Sequence, residues 1–318
     1  MKIPKKISLA NIPTPFTQIE FNGCKFFIKR DDLTGVELTG NKVRKLEYLL
    51  YDAKAKKADY VFTRGGDQSN HARATCIAAA SLGIKSKLFL WGNSNQNPDG
   101  NLFLDKFIGA EIKFLTKKEY KFVDDVMLQD QKELLKKKFN TYIIPSGGSS
   151  PLGIWGYINF VKELSEQTNL KKFNGIVTAT GSSGTAAGIL VGQALLGLNF
   201  KIFGISVIDK KEIVREDIIE LAKKNINEFD LNVKPNFNNL EILDNYSKEG
   251  YKNISPNKIN LFKDFFSQTG ILLDPTYTGK AFYAYNENFL NSNKSSRIIF
   301  LHTGGIFGVF PKRKNYLV

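Results

Sequence analysis

Short apolar runs alternate with longer stretches of helical periodicity along most of the chain. The apolar runs are rich in β-branched and aromatic residues and predict eight strands, at residues 25–29, 60–63, 87–90, 111–115, 142–144, 175–179, 201–206 and 297–301. Helices are predicted near residues 42–57, 69–83, 100–109, 117–138, 151–168, 184–196, 210–224, 256–269 and 277–290. This alternation predicts an α/β fold with parallel sheets and crossover helices.

Two stretches interrupt the alternation. Residues 225–253 are rich in Asn and Lys, and we expect them to be loop-rich rather than disordered because apolar residues still punctuate them. The turn from Pro145 to Pro151 follows a long basic helix and predicts a boundary between two α/β units. We expect interleaved domains, a larger one of residues 1–45 plus 155–318 and a smaller one of 46–154, with the N-terminal strand joining the C-terminal half.

Length and composition indicate a globular protein. The 318 residues are 42% hydrophobic, which is enough for about two domains. The two cysteines, Cys24 and Cys76, do not form a disulfide framework and suit a reducing cytoplasm, and the two histidines make a multi-histidine metal site unexpected. Prolines break the basic N-terminus before signal-peptide length, and no apolar run reaches the ~20 residues of a membrane span.

The chain is strongly basic, with 45 Lys and Arg residues against 31 Asp and Glu residues and a formal charge of +14. Such a charge could suit nucleic acid, an anionic membrane surface or small anionic ligands. The lysines are scattered in pairs, and no nucleic-acid-binding motif accompanies them. We therefore expect no nucleic-acid partner.

Lys42 lies in the stretch Gly40-Asn41-Lys42-Val43-Arg44-Lys45, at the opening turn of a predicted helix. An amine becomes a nucleophile near pH 7 when burial or a nearby positive field lowers its pKa. The helix N-terminus with Arg44 and Lys45 beside it would supply that field. A solvated basic helix face gives the same pattern, but two further motifs favour a Schiff-base lysine.

The second motif runs from Arg64 to Arg73 and lies between a predicted strand and an Ala-rich helix. Gly65 and Gly66 permit unusual backbone geometry, and Ser69 is a natural N-cap, so the motif predicts an anion cradle suited to a substrate carboxylate. An ordinary capped helix would leave three neighbouring polar residues unexplained: Gln68, Asn70 and His71.

The third motif runs from Thr178 to Gly188, after an apolar strand and before an apolar helix. A loop rich in Gly, Ser and Thr at a helix start predicts a phosphate pocket. The loop matches neither the dinucleotide fingerprint, because Ser183 replaces the second glycine, nor the nucleotide P-loop, because no Gly-Lys-Ser/Thr follows. A phosphate outside a nucleotide is the better prediction, although a structural turn fits the loop alone.

These stretches together resemble the pyridoxal 5'-phosphate (PLP) enzymes of fold type II, and among them the family of D-cysteine desulfhydrase and 1-aminocyclopropane-1-carboxylate (ACC) deaminase. Five stretches carry the resemblance in family order between residues 39 and 310: TGNKVRKLE, QSNHARATC, TGSSGTAAG, DPTYTGKA and HTGGIFGVF. The resemblance implies two interleaved three-layer domains with mostly parallel open sheets, PLP as cofactor, a small amino-acid substrate and a homodimer.

The resemblance also implies roles for individual residues. Lys42 would form the Schiff base with PLP, Asn70 would bond the phenolic oxygen of the cofactor, and Ser69, with Asn70 and His71 beside it, would meet the substrate carboxylate. The phosphate would be held by Thr180, Gly181, Ser182, Ser183, Gly184 and Thr185, with Lys45 assisting. Tyr251 and Tyr277 would lie near the reacting carbons, and Thr278 at the pyridine nitrogen. A hydroxyl does not stabilise a protonated pyridine nitrogen as a carboxylate would. We therefore expect the PLP ring to be a moderate electron sink.

The chain departs from the family pattern at three places. Thr39 replaces a glycine before Lys42, Lys252 replaces a glycine after Tyr251, and residues 209–255 align poorly. These changes concern the substrate pocket more than the cofactor site.

The resemblance leaves the reaction open between alternatives. We favour β-elimination from D-cysteine, with Lys42 as the base at Cα and pyruvate, ammonia and sulfide as products, because Tyr277-Thr278-Gly279-Lys280 looks like the desulfhydrases, whereas the deaminases carry Glu at the position of Thr278. ACC deamination is the runner-up. It needs a group acting away from Cα, a part that the two tyrosines could take. A non-catalytic PLP- or nucleic-acid-binding protein is the alternative of another class.

Overall fold

The structure, a computed structural model, describes residues 2–246, 248–250, 253–290 and 297–317. The strands of the described residues are β1 (Phe16–Phe21), β2 (Cys24–Arg30), β3 (Tyr60–Gly66), β4 (Lys85–Trp91), β5 (Glu111–Leu115), β6 (Thr141–Ile143), β7 (Gly175–Thr180), β8 (Lys201–Ser206), β9 (Leu240–Leu243) and β10 (Ile298–His302). The α-helices are α1 (Asn41–Ala55), α2 (Asn70–Ala80), α3 (Gly100–Phe107), α4 (Val123–Lys136), α5 (Trp155–Gln167), α6 (Gly184–Leu195), α7 (Lys211–Glu228), α8 (Pro256–Thr269), α9 (Thr278–Tyr285) and α10 (Arg313–Tyr316).

The strands form two open sheets. One sheet has six strands in the order β1-β2-β10-β7-β8-β9, and the other has four in the order β5-β4-β3-β6. All pairs are parallel except the β1-β2 hairpin, which turns at Asn22 and Gly23. Strand β2 pairs with β10, with Ile28 opposite Phe300, so the N-terminal strand joins the C-terminal half as predicted.

Helices cover both faces of each sheet. In the larger unit, α5, α6 and α7 pack on one face of the six-stranded sheet and α8 and α9 on the other. In the smaller unit, α1 and α2 pack on one face of the four-stranded sheet, and α4 covers the other through Val123 and Met127. The chain is thus an α/β protein of two three-layer units, as predicted. The exact domain boundaries at residues 45/46 and 154/155 stay a prediction.

All eight predicted strands are present, but the prediction missed β1 and β9, the two edges of the six-stranded sheet. In strand β1 Phe21 is buried and the other five residues are exposed or half-buried, which weakens its apolar signal. Strand β9 has only four residues and lies in the stretch expected to be loop-rich. That expectation is wrong in part, because α7 also continues into it as far as Glu228.

Two predicted helices change to another type of helix at one end. The helix predicted at 117–138 begins as a 3₁₀ turn and is α-helical only over α4, and the one predicted at 277–290 is α-helical over α9 and continues as a π-helical turn, Asn286–Leu290. Among the described residues, none of the helices is long and apolar enough to span a membrane.

Candidate active site

A cavity of about 710 Å³ opens where the carboxyl ends of strands from both sheets meet. Gly66 at the end of β3, Thr180 at the end of β7 and Thr303 just after β10 all line it. Ligands of parallel α/β sheets bind at this end of the strands. The cavity is also lined by most of the predicted site residues: Lys42, Ser69, Asn70, His71, Thr180, Gly181, Ser182, Ser183, Thr185 and Tyr277.

The other predicted site residues lie elsewhere. Lys45 and Gly184 are buried beneath the lining, where an added Cβ on Gly184 would lie 2.7 Å from the Lys45 Nζ. Thr278 is fully buried and does not line the cavity. Tyr251, and with it the departure at Lys252, lies outside the described residues.

Lys42 is held at the cavity by the way α1 begins. Gly40 precedes the helix with a φ of +94°, and an added Cβ there would lie 3.0 Å from the Thr303 carbonyl oxygen, so a side chain would be strained and crowded. The Asn41 amide donates to that same carbonyl at 3.0 Å. The Lys42 Nζ donates to the Asn41 Oδ1 at 3.2 Å and lies 6.0 Å from the centre of the Tyr277 ring.

Burial lowers the pKa of Lys42 to about 8, and the negative charge of Asp274 opposes that shift. The expectation that Arg44 would supply a positive field is wrong, because Arg44 points to the other side of α1. There its guanidinium pairs with Asp31 at 2.8 Å and with Glu163 at 2.7 Å. The amine of Lys42 is therefore made reactive by desolvation rather than by Arg44.

The loop between β7 and α6 forms one wall of the cavity. Ser183 adopts a left-handed conformation with φ of +64°, which is unfavourable for a residue with a side chain. The turn brings Ser182 and the first residues of α6 to the cavity. The first amides of a helix have no partners within it, so this wall offers N–H and hydroxyl donors at the positive end of the α6 dipole.

Lys45 supports this wall from below. Its Nζ is buried and donates to the Gly147 carbonyl oxygen and the Ser149 Oγ, both at 3.2 Å. The Ser149 Oγ donates in turn to the Ser182 Oγ at 3.0 Å. Burial, and then the charge of Lys42, holds the pKa of Lys45 well below its usual range. An anion in the loop would favour its protonated form.

Ser69 and Asn70 form the opposite wall at the start of α2. The Ser69 Oγ accepts from the Ala72 amide at 3.1 Å, which makes Ser69 the N-cap that the sequence predicted. The Asn70 Oδ1 is buried and has no hydrogen-bond partner within the described residues. This end of α2 therefore presents a hydroxyl, an amide and free backbone N–H groups to the cavity.

The polar neighbours of Ser69 have different surroundings. His71 lines the cavity with its Nε2 2.9 Å from the Thr63 Oγ1, and burial, with the charges of Lys42 and Lys45, holds its pKa well below the usual range. It is therefore neutral. Gln68 faces away, because its Nε2 donates to the Asp99 carbonyl at 2.9 Å and its Oε1 accepts from the Asn101 amide at 3.0 Å.

Tyr277 and Thr278 are fixed by Asp274, a buried carboxylate that the sequence analysis did not single out. Asp274 accepts from the amides of Tyr277 and Thr278 at 2.9 and 2.6 Å, and from the Thr278 hydroxyl at 2.6 Å. The Tyr277 ring packs over Gly181, where an added Cβ would lie 3.1 Å from its Cε1. The only hydroxyl proton of Thr278 is thus already donated to Asp274.

Other residues of the cavity were also missed. Gly147 and Ser149 belong to the turn that the sequence analysis took for a domain boundary, and its Ser/Gly composition was the available signal. Asn41 donates from its Nδ2 to the Thr185 Oγ1 at 3.1 Å and so joins the lysine segment to the phosphate loop. The outer wall comes from α7 and the residues before it and includes Ile208, Asp209, Asp217, Glu220, Leu221 and Lys224.

The donor set fits a phosphorylated aldehyde. The loop after β7 offers N–H and hydroxyl donors for a phosphate, and Lys42 offers an amine of lowered pKa for an aldehyde carbon. The Asn70 Oδ1 and the Thr180 Oγ1 are buried polar atoms of the lining without a partner in the described residues, as expected where a polar ligand completes the site. No group of His, Cys, Asp and Glu residues in the described chain could hold a metal ion.

Comparisons with known proteins show what the chain is similar to. The family described as pyridoxal-phosphate dependent enzyme matches residues 7–304. A Thermotoga maritima protein provisionally named 1-aminocyclopropane-1-carboxylate deaminase is 40% identical over 313 residues, which cover 97% of this chain and 99% of that protein. The mitochondrial bifunctional D-cysteine desulfhydrase/1-aminocyclopropane-1-carboxylate deaminase of Arabidopsis thaliana is 37% identical, with 96% of this chain and 79% of that protein covered.

A solved structure extends the likeness to three dimensions. The crystal structure of an ACC deaminase homologue matches 99% of this chain and 96% of its own, with a TM-score of 0.88 and 35% sequence identity. Together, the site and these matches show that this protein belongs to the pyridoxal-phosphate-dependent enzymes of fold type II, in the family of ACC deaminases and D-cysteine desulfhydrases, with PLP as its cofactor.

Proposed function

We propose that this enzyme catalyses β-elimination from D-cysteine and yields pyruvate, ammonia and sulfide. The observation that carries the proposal is the amine of Lys42, which burial keeps partly neutral near pH 8 and which lines the same cavity as the N-cap Ser69. A base at this position is what abstraction of a Cα proton requires. The choice of D-cysteine also rests on Thr278, which the desulfhydrase pattern carries and the deaminase pattern replaces with Glu.

The residues of the cavity would share the work as follows. Ser69 and the free amides at the start of α2 bind the substrate carboxylate, and the loop after β7, with Lys45 beneath it, binds the phosphate of PLP. Asn70 bonds the phenolic oxygen of PLP through its side-chain amide. Tyr277 covers the reacting carbons from the side of Gly181 and excludes water.

The reaction needs one base and one leaving group. PLP, when bound, withdraws the electron pair left at Cα. The Lys42 Nζ takes the Cα proton, the bond between Cβ and sulfur breaks, and sulfur leaves as hydrosulfide. The enamine that is set free reacts with water to give pyruvate and ammonia, so that one D-cysteine and one water account for the three products.

ACC deamination is the second candidate. The name of the Thermotoga relative favours it, whereas the name of the Arabidopsis relative carries both activities. ACC carries no hydrogen on Cα, so Lys42 could not begin the reaction by taking one. A group placed elsewhere would have to act on the ring. Of the two described phenols that line the cavity, Tyr120 and Tyr277, we favour Tyr277 because its ring centre lies 6.0 Å from the Lys42 Nζ. Tyr251 would be the other candidate.

A substrate panel tests the proposal. The purified holoenzyme is given D-cysteine, L-cysteine and ACC in turn, and sulfide, pyruvate and 2-oxobutanoate are measured. We expect sulfide and pyruvate in equal amounts from D-cysteine, with kcat/KM for D-cysteine above that for the other two. Release of 2-oxobutanoate from ACC without sulfide from D-cysteine would reverse the order of the two candidates.

The assembly and the location of the enzyme are also proposals. Both cysteines, Cys24 and Cys76, are unpaired, which suits the reducing cytoplasm. The homodimer is proposed from the family alone. Light scattering coupled to size-exclusion chromatography is expected to give twice the chain mass of 35.8 kDa, and a mass of one chain would overturn the dimer.

A further inference from the structure

Arg73 is a fully buried guanidinium in the first turn of α2, four residues after the N-cap Ser69. Its Nη2 donates to the Thr39 carbonyl oxygen at 3.0 Å, and its Nη1 donates to the Glu37 carbonyl oxygen. Its Nε donates to the Asn101 Oδ1 at 2.8 Å, and its flat face lies 4.9 Å from the centre of the Phe307 ring. One side chain therefore joins its own helix to three segments that are distant in sequence.

Two of these segments lead directly to the cavity. The carbonyls of residues 37 and 39 belong to the loop that ends at Gly40, two residues before Lys42. On the other side, the Nδ2 of Asn101 donates to the Gln68 carbonyl at 3.2 Å, next to Ser69. Arg73 thus connects the backbone before the lysine to the backbone before the N-cap.

Thr39 is adapted to this contact. Its hydroxyl donates to the Asp32 carbonyl, which fixes its own peptide in the orientation that presents its carbonyl to Arg73. The Thr34 hydroxyl accepts from the Gly40 amide at 2.8 Å and holds the end of the same loop. The departure at Thr39 from the family glycine therefore leaves the loop well anchored.

The charge of Arg73 is costly for the fold. No carboxylate of the described residues forms an ion pair with it, and the acid that faces its charge through space is Asp105. Burial lowers the pKa of Arg73 to about 10. An apolar side chain could fill this space without the cost of burying a charge. The advantage of arginine here is therefore its forked guanidinium, which donates several hydrogen bonds at once.

We propose that Arg73 is a positioning residue of the reaction: it fixes the loop before Lys42 against the start of α2 and so sets the distance between the Lys42 amine and the Ser69-Asn70 pair. The inference rests on the proposed roles of Lys42 and Ser69 in binding the amino acid. It is independent of whether the substrate is D-cysteine or ACC.

The test compares wild-type holoenzyme with Arg73→Lys, in which one amine replaces the fork of donors. Glycine serves as the probe because it binds as an amino acid but has no leaving group on a β-carbon. Its Kd is measured from the change in the visible spectrum of the bound cofactor, well below the unfolding temperature of each variant. We expect the Kd of glycine to rise about tenfold, while the rate at which apoenzyme takes up PLP, which needs Lys42 but not Ser69, changes less than threefold.

Arg44→Lys is the matched control, since Arg44 is equally buried on α1 but faces Asp31 and Glu163. It is expected to lower the Tm and leave the Kd of glycine unchanged. A wild-type Kd in Arg73→Lys, with only a lower Tm, would mean that Arg73 serves the fold alone. If Arg73→Lys does not fold, Arg73→Gln, which buries no charge, carries the same test. A wild-type panel that yields no sulfide would overturn the desulfhydrase proposal and leave this one standing.

Discussion

Lys42 is half-buried in the lining of the cavity, and the effect of this burial on its amine is measurable as a pH dependence. Because burial lowers the pKa of Lys42 to about 8, the neutral amine that attacks an aldehyde becomes abundant near pH 8 rather than near the usual 10.5. We expect the rate of PLP uptake by apoenzyme to rise with pH with a midpoint of about 8. Stopped-flow absorbance at a series of pH values measures it.

Asp274→Asn is the matched variant for this titration. The charge of Asp274 raises the pKa of Lys42 and so opposes the effect of burial. Removing that charge is expected to move the midpoint to lower pH, while circular dichroism reports whether the fold is kept. A wild-type midpoint near 10, or an upward move in Asp274→Asn, contradicts this account of Lys42.

Sequence reasoning predicted the residues whose role depends on local backbone chemistry. Ser69 could be predicted because an N-cap is encoded within one turn of its helix. Two other features could not be predicted, because each depends on which distant strand or turn packs beside it. They are the direction in which Arg44 points and the hydrogen bond from the Thr278 hydroxyl to Asp274. Thr278 still stands as the predicted neighbour of the pyridine nitrogen, although its proton is donated elsewhere.

At the scale of elements, the start of α6 is a tightly packed junction of the site. Because an added Cβ on Gly184 would lie 2.7 Å from the Lys45 Nζ, which is itself held by Gly147 and Ser149, the amine or the loop must shift. We expect Gly184→Ala to weaken PLP binding at least about fivefold, since overpacking of this kind costs about 1–3 kcal/mol. Fluorescence titration of apoenzyme with PLP measures the Kd.

Gly308→Ala is the control, because an added Cβ there has no atom within 4 Å. Its affinity for PLP is expected to equal that of the wild type. Equal affinity in Gly184→Ala would show that Lys45 can move aside without loss and that the loop does not need a glycine at that position.

The strands that sequence reasoning missed share one physical property. Strands β1 and β9 are sheet edges, and each is paired on one side, so neither needs a continuous apolar run. For β1, the Asn22-Gly23 pair was a hairpin signal in the sequence, and both residues adopt the positive φ that such turns require. For β9, four residues in an Asn-rich stretch gave no comparable signal. The central strands, which are buried on both faces, were predicted because they read as apolar runs.

At the scale of the whole molecule, stability should depend on pH through Asp105. Burial raises the pKa of this carboxyl to about 7, and its Oδ2 has no hydrogen-bond partner among the described residues. The native state therefore holds a proton that the unfolded chain has lost above about pH 4, and this group lowers the free energy of unfolding as pH rises from 4 to 7. Asp105→Asn removes that dependence.

Urea denaturation at pH 5 and pH 8 measures the effect. The quantity compared is the free energy of unfolding of Asp105→Asn minus that of wild type. We expect this difference to be about 3 kcal/mol larger at pH 8 than at pH 5. Asp130→Asn is the control of opposite sign, because Lys87 and Lys113 pair with Asp130 and lower its pKa. That variant should be less stable at both pH values. The same difference between Asp105→Asn and wild type at both pH values would contradict the assignment.

The most direct measurement of the central claim is the position at which PLP is attached. The holoenzyme is reduced with borohydride, which makes the bond between lysine and cofactor permanent, then digested and sequenced by tandem mass spectrometry. The account predicts the phosphopyridoxyl group on Lys42, and no labelled peptide from Lys42→Ala. A label on Lys45, which lies one turn away with its amine beneath the phosphate loop, or on any other lysine, would contradict it.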